Sequence, residues 1–108
     1  MRPVAKYSEV DPLHIGTVRL FFHLKDNHSL KGKRQVSRSI ITRLRHKFNA
    51  SVAEVDAADQ LQVLVVGIAT VSNSVSHCRE ITDKILGYID GQGIDGELID
   101  VQTEILNA

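Results

Sequence analysis

The sequence predicts an α+β domain of β-α-β-β-α-β order, a ferredoxin-like sandwich with an antiparallel four-stranded sheet in the order 4-1-3-2 and two helices on one face. Three observations carry that prediction. Four short segments alternate apolar with polar residues or run wholly apolar, as strands do. Two longer segments between them repeat apolar residues every three or four positions, as helices do. Ser, Asn and Gly mark each change of period.

His14–Leu24 (HIGTVRLFFHL) sets Val18, Leu20, Phe22 and Leu24 on one face and Thr17, Arg19, Phe21 and His23 on the other. Asn27-His28-Ser29 breaks this strand, and Ser29 suits a helix N-cap because its hydroxyl accepts from a free amide of the first turn. From Leu30 to Phe48, Val36, Ile40, Leu44 and Phe48 recur every four residues with Ile41 beside them, making one apolar stripe. Ser51–Asp56 (SVAEVD) alternates again, Ala57–Gln62 is a polar loop, and Val63–Val71 (VLVVGIATV) is continuously apolar. Ser72-Asn73-Ser74 caps a second helix carrying Val75, Cys78, Ile81, Ile85 and Ile89. Gly91, Gly93 and Gly96 close it before a last strand, Gly96–Leu106 (GELIDVQTEIL).

The four strands rank themselves. The first and third are apolar on nearly both faces, as central strands are. The second and fourth place Glu54, Asp56, Asp100, Gln102 and Glu104 on one face, which suits edges. Parallel first and second strands joined by a helix, with the third inserted between them, give the predicted order. The apolar third strand leaves open which of its two faces is buried.

At 108 residues, 43% hydrophobic and 24% charged, the chain has room for one domain with an ordinary core. That domain is expected over residues 14–106, with residues 1–13 a loose extension. The lone Cys78 excludes an internal disulfide and fits a reducing cytoplasm. Neither a signal peptide nor a membrane span is expected, because no apolar run approaches the roughly 20 residues that a span needs. The net charge of zero hides an asymmetry. Lys25–Lys47 holds eight Lys or Arg against one acid, Asp26, whereas Phe48–Ala108 holds two bases against ten acids.

The run HSLKGKRQVSRSIITRLRHKFNASVAEVD from His28, with VGIATVSN around Gly67–Asn73, resembles the bacterial YlxP-like family, small proteins of unknown function. The resemblance covers about His14 to Ile105, and S-L-K-x-K-R, R-L-R-x-x-F-N and S-V-A-E-V are its most specific parts. It implies a ferredoxin-like fold in a bacterial cytoplasm. The usual neighbourhood of the family's genes, beside those for translation initiation and ribosome maturation, implies a connection to RNA or the ribosome. It supplies no catalytic residues.

At 100° per residue around the first helix, Lys31, Arg34, Arg38 and Arg45 fall within about 60° of one another beside Ile41. Solubility and helix propensity alone could account for such a face. Lys31, Lys33 and Arg34, however, occupy the opening turns, where the helix dipole is positive and each exposed cation costs about 0.3–1 kcal/mol. The free amides of that end, behind His28 and Ser29, favour anions. The expected site is therefore a sequence-tolerant phosphate site for RNA built from His28, Ser29, Lys31, Lys33, Arg34, Arg38 and Arg45. The open sheet face lacks the stacking aromatics of an RNA-recognition sheet: Phe21 stands alone, and acids at Glu54, Asp56, Asp100 and Glu104 would repel phosphate. Its apolar patches suggest a homodimer or a protein partner. A self-associating adaptor without nucleic acid is the alternative function.

Other signals carry less. Gly91–Gly96 spells G-x-G-x-x-G, yet it follows a helix and precedes a strand, the reverse of a dinucleotide site. His14, His23, His28, His46 and His77 lack metal-ligand spacing, and acids at 54, 56 and 59 suit a solvated edge and loop. Cys78 lies on the buried stripe of the second helix, and His77 points about 100° away from it. Neither catalysis nor a cofactor is expected.

Overall fold

The computed structural model describes residues 12–108. The extension expected over residues 1–13 therefore lies almost wholly outside the described residues. At its end, Leu13 and Ala108 exchange backbone hydrogen bonds of 3.1 and 2.9 Å, so the chain is already held to the last strand there.

The elements follow the predicted order: β1 (His14–His23), α1 (Leu30–Lys47), β2 (Ser51–Asp56), β3 (Val63–Ser72), α2 (Val75–Asp90) and β4 (Glu97–Asn107). The sheet runs β2-β3-β1-β4, the same as 4-1-3-2, and every neighbouring pair is antiparallel. Because β1 and β2 both run against β3, they run parallel to each other on its two sides. No helix among the described residues is long and apolar enough to cross a membrane.

Each helix begins where a serine hydroxyl accepts a first-turn amide. Ser29 accepts from Gly32 at 3.0 Å and Ser74 from His77 at 3.3 Å. At the far end of α2, Gly91 caps the helix and Gly93 takes a φ of 59° before β4 starts at Glu97. The glycine motif therefore joins a helix to a strand, and its glycines shape a turn.

The core lies between the sheet and both helices. Val18, Leu20, Phe22 and Leu24 of β1 face Ile40 and Leu44 of α1 and Ile85 and Ile89 of α2, joined by Val52 and by Leu64, Val66 and Ile68. Burial of each large side chain here contributes about 1.5–3 kcal/mol. Cys78 is fully buried at the same interface. The faces of β3 are settled by its register with β1: Leu64, Val66, Ile68 and Thr70 look to the helices, while Val63, Val65, Gly67, Ala69 and Val71 share the open face with Phe21, Arg19 and Thr17.

Two bulges interrupt the alternation. One falls between Glu54 and Asp56 of β2, displacing Val55. The other lies opposite Phe21/Phe22, where β4 carries Ile99 as the extra residue between Asp100 and Leu98. An extra residue on one strand bends it and re-aims its side chains. The expected grouping of acids on one face is corrected at Glu54, which shares the face of the buried Val52, while the bulge leaves Asp56 opposite Val65 on the open face. Asp100, Gln102 and Glu104 do lie beside Phe21, Arg19 and Thr17 on the open face. Glu54 turns instead to the helix side, within reach of α1.

Candidate nucleic-acid interface

α1 contains seven Lys or Arg and no acid. Which of these cations can meet a phosphate depends on how the helix sits on the sheet. Its buried side is Lys33, Ser37, Ile40 and Leu44, a stripe at spacings of four and three. Lys33 belongs to that stripe, and it is 2% exposed.

The Lys33 ammonium is satisfied from within the domain. It donates to the carbonyls of Ala57 at 2.5 Å and Gln60 at 2.9 Å, and it pairs with a Glu54 carboxylate oxygen at 3.2 Å. The other Glu54 oxygen accepts from the Ser37 hydroxyl at 3.3 Å. A buried cation must be paired and hydrogen-bonded, and here the turn from β2 to β3, with Ala57 at a φ of 57°, supplies the oxygens. Lys33 is thus a clasp between α1 and that turn. It leaves the set expected to touch phosphate, because its charge is already neutralised.

The start of α1 is also partly committed. The Ser29 hydroxyl oxygen accepts from the Gly32 amide. The Asn27 amide donates to the carbonyls of Ser29 at 2.9 Å and Leu61 at 2.5 Å, fixing the approach to the helix. A Cβ at Gly32 would displace the Asn27 carboxamide oxygen and stand 3.1 Å from the Ser29 hydroxyl. The cap uses one lone pair of the Ser29 oxygen and leaves its O–H free to donate. Ser29 is a cap, whereas His28 stays exposed beside it.

Lys31, Arg34 and Arg38 remain. All three are exposed, and no carboxylate among the described residues pairs with them. Their spacing of three and four residues sets them in one ridge rising about 10 Å along the helix. Arg45 extends the ridge by two turns but is half-engaged: one guanidinium nitrogen donates to the Val52 carbonyl of edge strand β2 at 2.6 Å. With His46 and Lys47 it also occupies the last turn, where the dipole favours cations without any ligand. On the opposite flank, Arg43 donates to the Gln92 carbonyl at 3.2 Å and Lys47 sits 6.0 Å from the centre of the Tyr88 ring. The free positive charge is thus concentrated at the N-terminal half of α1, on the side toward β2.

Sequence reasoning had the means to find the Lys33 clasp. On the helical wheel Lys33 falls within about 20° of both Ile40 and Leu44, so a lysine in mid-core was visible. Its partner was visible too, since alternation sets Glu54 on the same face as the buried Val52 and the bulge comes only after it.

Residues 15–103 match the family model described as "Protein of unknown function (DUF503)". The chain is also similar to the uncharacterized protein YlxP of Bacillus subtilis (strain 168), 40% identical over 65 residues that cover 60% of this chain and 71% of that protein. The fold, the ridge and the clasp described above are therefore features of a chain that belongs to the DUF503 family of proteins of unknown function.

Proposed function

We propose that this protein is a non-catalytic binding module that docks the Lys31–Arg34–Arg38 ridge of α1 against the phosphates of RNA, in the cytoplasm and in the service of translation or ribosome maturation. One observation carries the reading. Three exposed cations share a helix face without a neutralising carboxylate among the described residues, on a helix with no acid of its own. Elsewhere acids dominate: Phe48–Ala108 contains ten against two bases. A chain that needed charge only for solubility would have mixed its signs on this helix as well.

The geometry favours phosphate over base recognition. A convex helix ridge of long, flexible cations reaches a sugar–phosphate backbone, which positions a protein without specifying sequence. The open sheet face supports stacking poorly, since Phe21 is its one aromatic across the two central strands.

The test is binding of the whole protein to structured RNA at moderate salt. Arg34→Glu/Arg38→Glu is expected to weaken binding by at least about a hundredfold, because two attractive contacts become repulsive. Its circular dichroism and melting should be unchanged, since both side chains are exposed and unpaired. Undiminished binding by this variant would reject the reading.

A further inference from the structure

A cavity of about 440 Å³ opens at the start of α1, between the approach to the helix and the turn that joins β2 to β3. Its size falls within the roughly 300–1,000 Å³ of small-ligand sites. Asn27 and His28 line it from the first segment and Gln60 and Gln62 from the turn, with His23, Leu61 and Val63 completing the wall. No Lys, Arg, Asp or Glu lines it, although Lys25, Asp26 and Asp59 stand close by in sequence. The hollow of the open sheet face differs, since Arg19, Arg45 and Glu104 line it.

The two segments are tied to each other. The Asn27 side-chain amide donates to the Leu61 carbonyl at 2.5 Å, and the Leu24 backbone N–H donates to the Gln62 carbonyl at 2.8 Å. The lining side chains are freer. Among the described residues Gln60 bonds only through its backbone, and no hydrogen bond engages the His23 or His28 ring.

Uncharged walls with free donors and acceptors select a ligand. Phosphate and carboxylate meet no cation here. No group of three His, Cys, Asp or Glu side chains placed to hold a metal ion occurs among the described residues. A carboxamide offers both donors and an acceptor, and a neutral imidazole one of each. A nucleobase has the matching form, a flat ring with donors and acceptors along its edge. Proteins read unpaired RNA bases in this way, stacking them on rings that include histidine and bonding their edges. His28 stands three residues ahead of Lys31, so the cavity adjoins the end of the ridge.

We propose that this cavity takes one unpaired base of the RNA whose backbone lies along Lys31, Arg34 and Arg38. Its role rests on the ridge reading, because phosphate contacts supply the affinity and the base supplies a preference among RNAs. A base inside a duplex must first be unstacked and unpaired, whereas a bulged base is already out of its pair. The ligand is therefore a stem interrupted by a bulge.

Fluorescence anisotropy of the whole protein with two labelled RNA duplexes tests this, one fully paired and one carrying a single bulged adenosine. Wild type is expected to bind the bulged duplex at least about fivefold more tightly. His28→Ala/Gln60→Ala should remove that preference and leave affinity for the paired duplex unchanged. Its circular dichroism should match wild type, since both side chains are exposed. Arg34→Glu/Arg38→Glu should weaken binding to both duplexes alike. Equal binding of the two duplexes by wild type, or a preference that survives His28→Ala/Gln60→Ala, would overturn the cavity and leave the ridge standing. Binding of neither duplex would overturn both.

Discussion

The two helices lie side by side on the same sheet and start alike. Each has a serine N-cap in extended backbone and no acid in its first turn. Their surfaces then diverge. α2 mixes Arg79 and Lys84 with Glu80, Asp83 and Asp90, and ties Glu80 to Lys84 at 3.2 Å. That is how an ordinary solvated helix is decorated in this protein, with an exposed pair contributing a few tenths of a kcal/mol. α1 has the same burial task and the same solvent, yet it carries only positive charge. The contrast teaches that neither the fold nor solubility demands the basic surface of α1. Part of it is structural, in Lys33, and the part that is not is the ridge.

The largest expected effect separates those two parts. Lys33→Met strands the Glu54 carboxylate and the carbonyls of Ala57 and Gln60. It is expected to cost about 3 kcal/mol of stability, near the low end for a broken buried pair because the Glu54 side chain is 30% exposed. Urea denaturation measures this. RNA affinity at temperatures where the variant stays folded should match wild type. A stability unchanged within about 0.5 kcal/mol would mean that the clasp is not what holds the turn.

A smaller effect probes what the helices share. Ser29→Ala and Ser74→Ala are each expected to lose about 1 kcal/mol, read as equal shifts in urea midpoint. Smaller still, and opposite in sign for stability and function, is Lys31→Glu. An acid in the first turn suits the dipole, so this variant should gain about 0.5 kcal/mol in stability while binding RNA less well. Ser76→Glu in the first turn of α2 should gain a similar amount with no loss of binding. If both substitutions left RNA affinity untouched, the two helices would be functionally alike.

Much of the fold was legible because it rests on periodicity. The change from alternation to a three-four repeat located α1 to within a residue, and Ser29 and Ser74 were visible as caps. The charged second and fourth strands took the edges. What escaped depends on side chains crossing between elements. VLVVGIATV is apolar on both faces, so no pattern could tell that Thr70 is buried and Val71 is 68% exposed. The bulges at Val55 and Ile99 leave no local signature, whereas the face of Glu54 follows from alternation with the buried Val52 and is missed only where an acid is assumed to face solvent. Lys31, Arg34 and Arg38 share the exposed face that helical geometry alone gives them. Lys33 was wrongly grouped with them, because dipole logic was applied to a residue whose place on the wheel was in the core. Ser29 is a cap through its oxygen, and its O–H remains a donor.

The salt dependence of RNA affinity measures free phosphate contacts directly, and the two helices supply both test and control. The logarithm of the association constant falls with the logarithm of salt concentration by about 0.7–0.9 per phosphate contacted. Arg34→Gln/Arg38→Gln on α1 is predicted to flatten that slope by about 1.5, whereas Arg79→Gln/Lys84→Gln on α2 should leave it unchanged. Equal slopes for wild type and the α1 variant, or equal flattening by both variants, would contradict a phosphate ridge on α1.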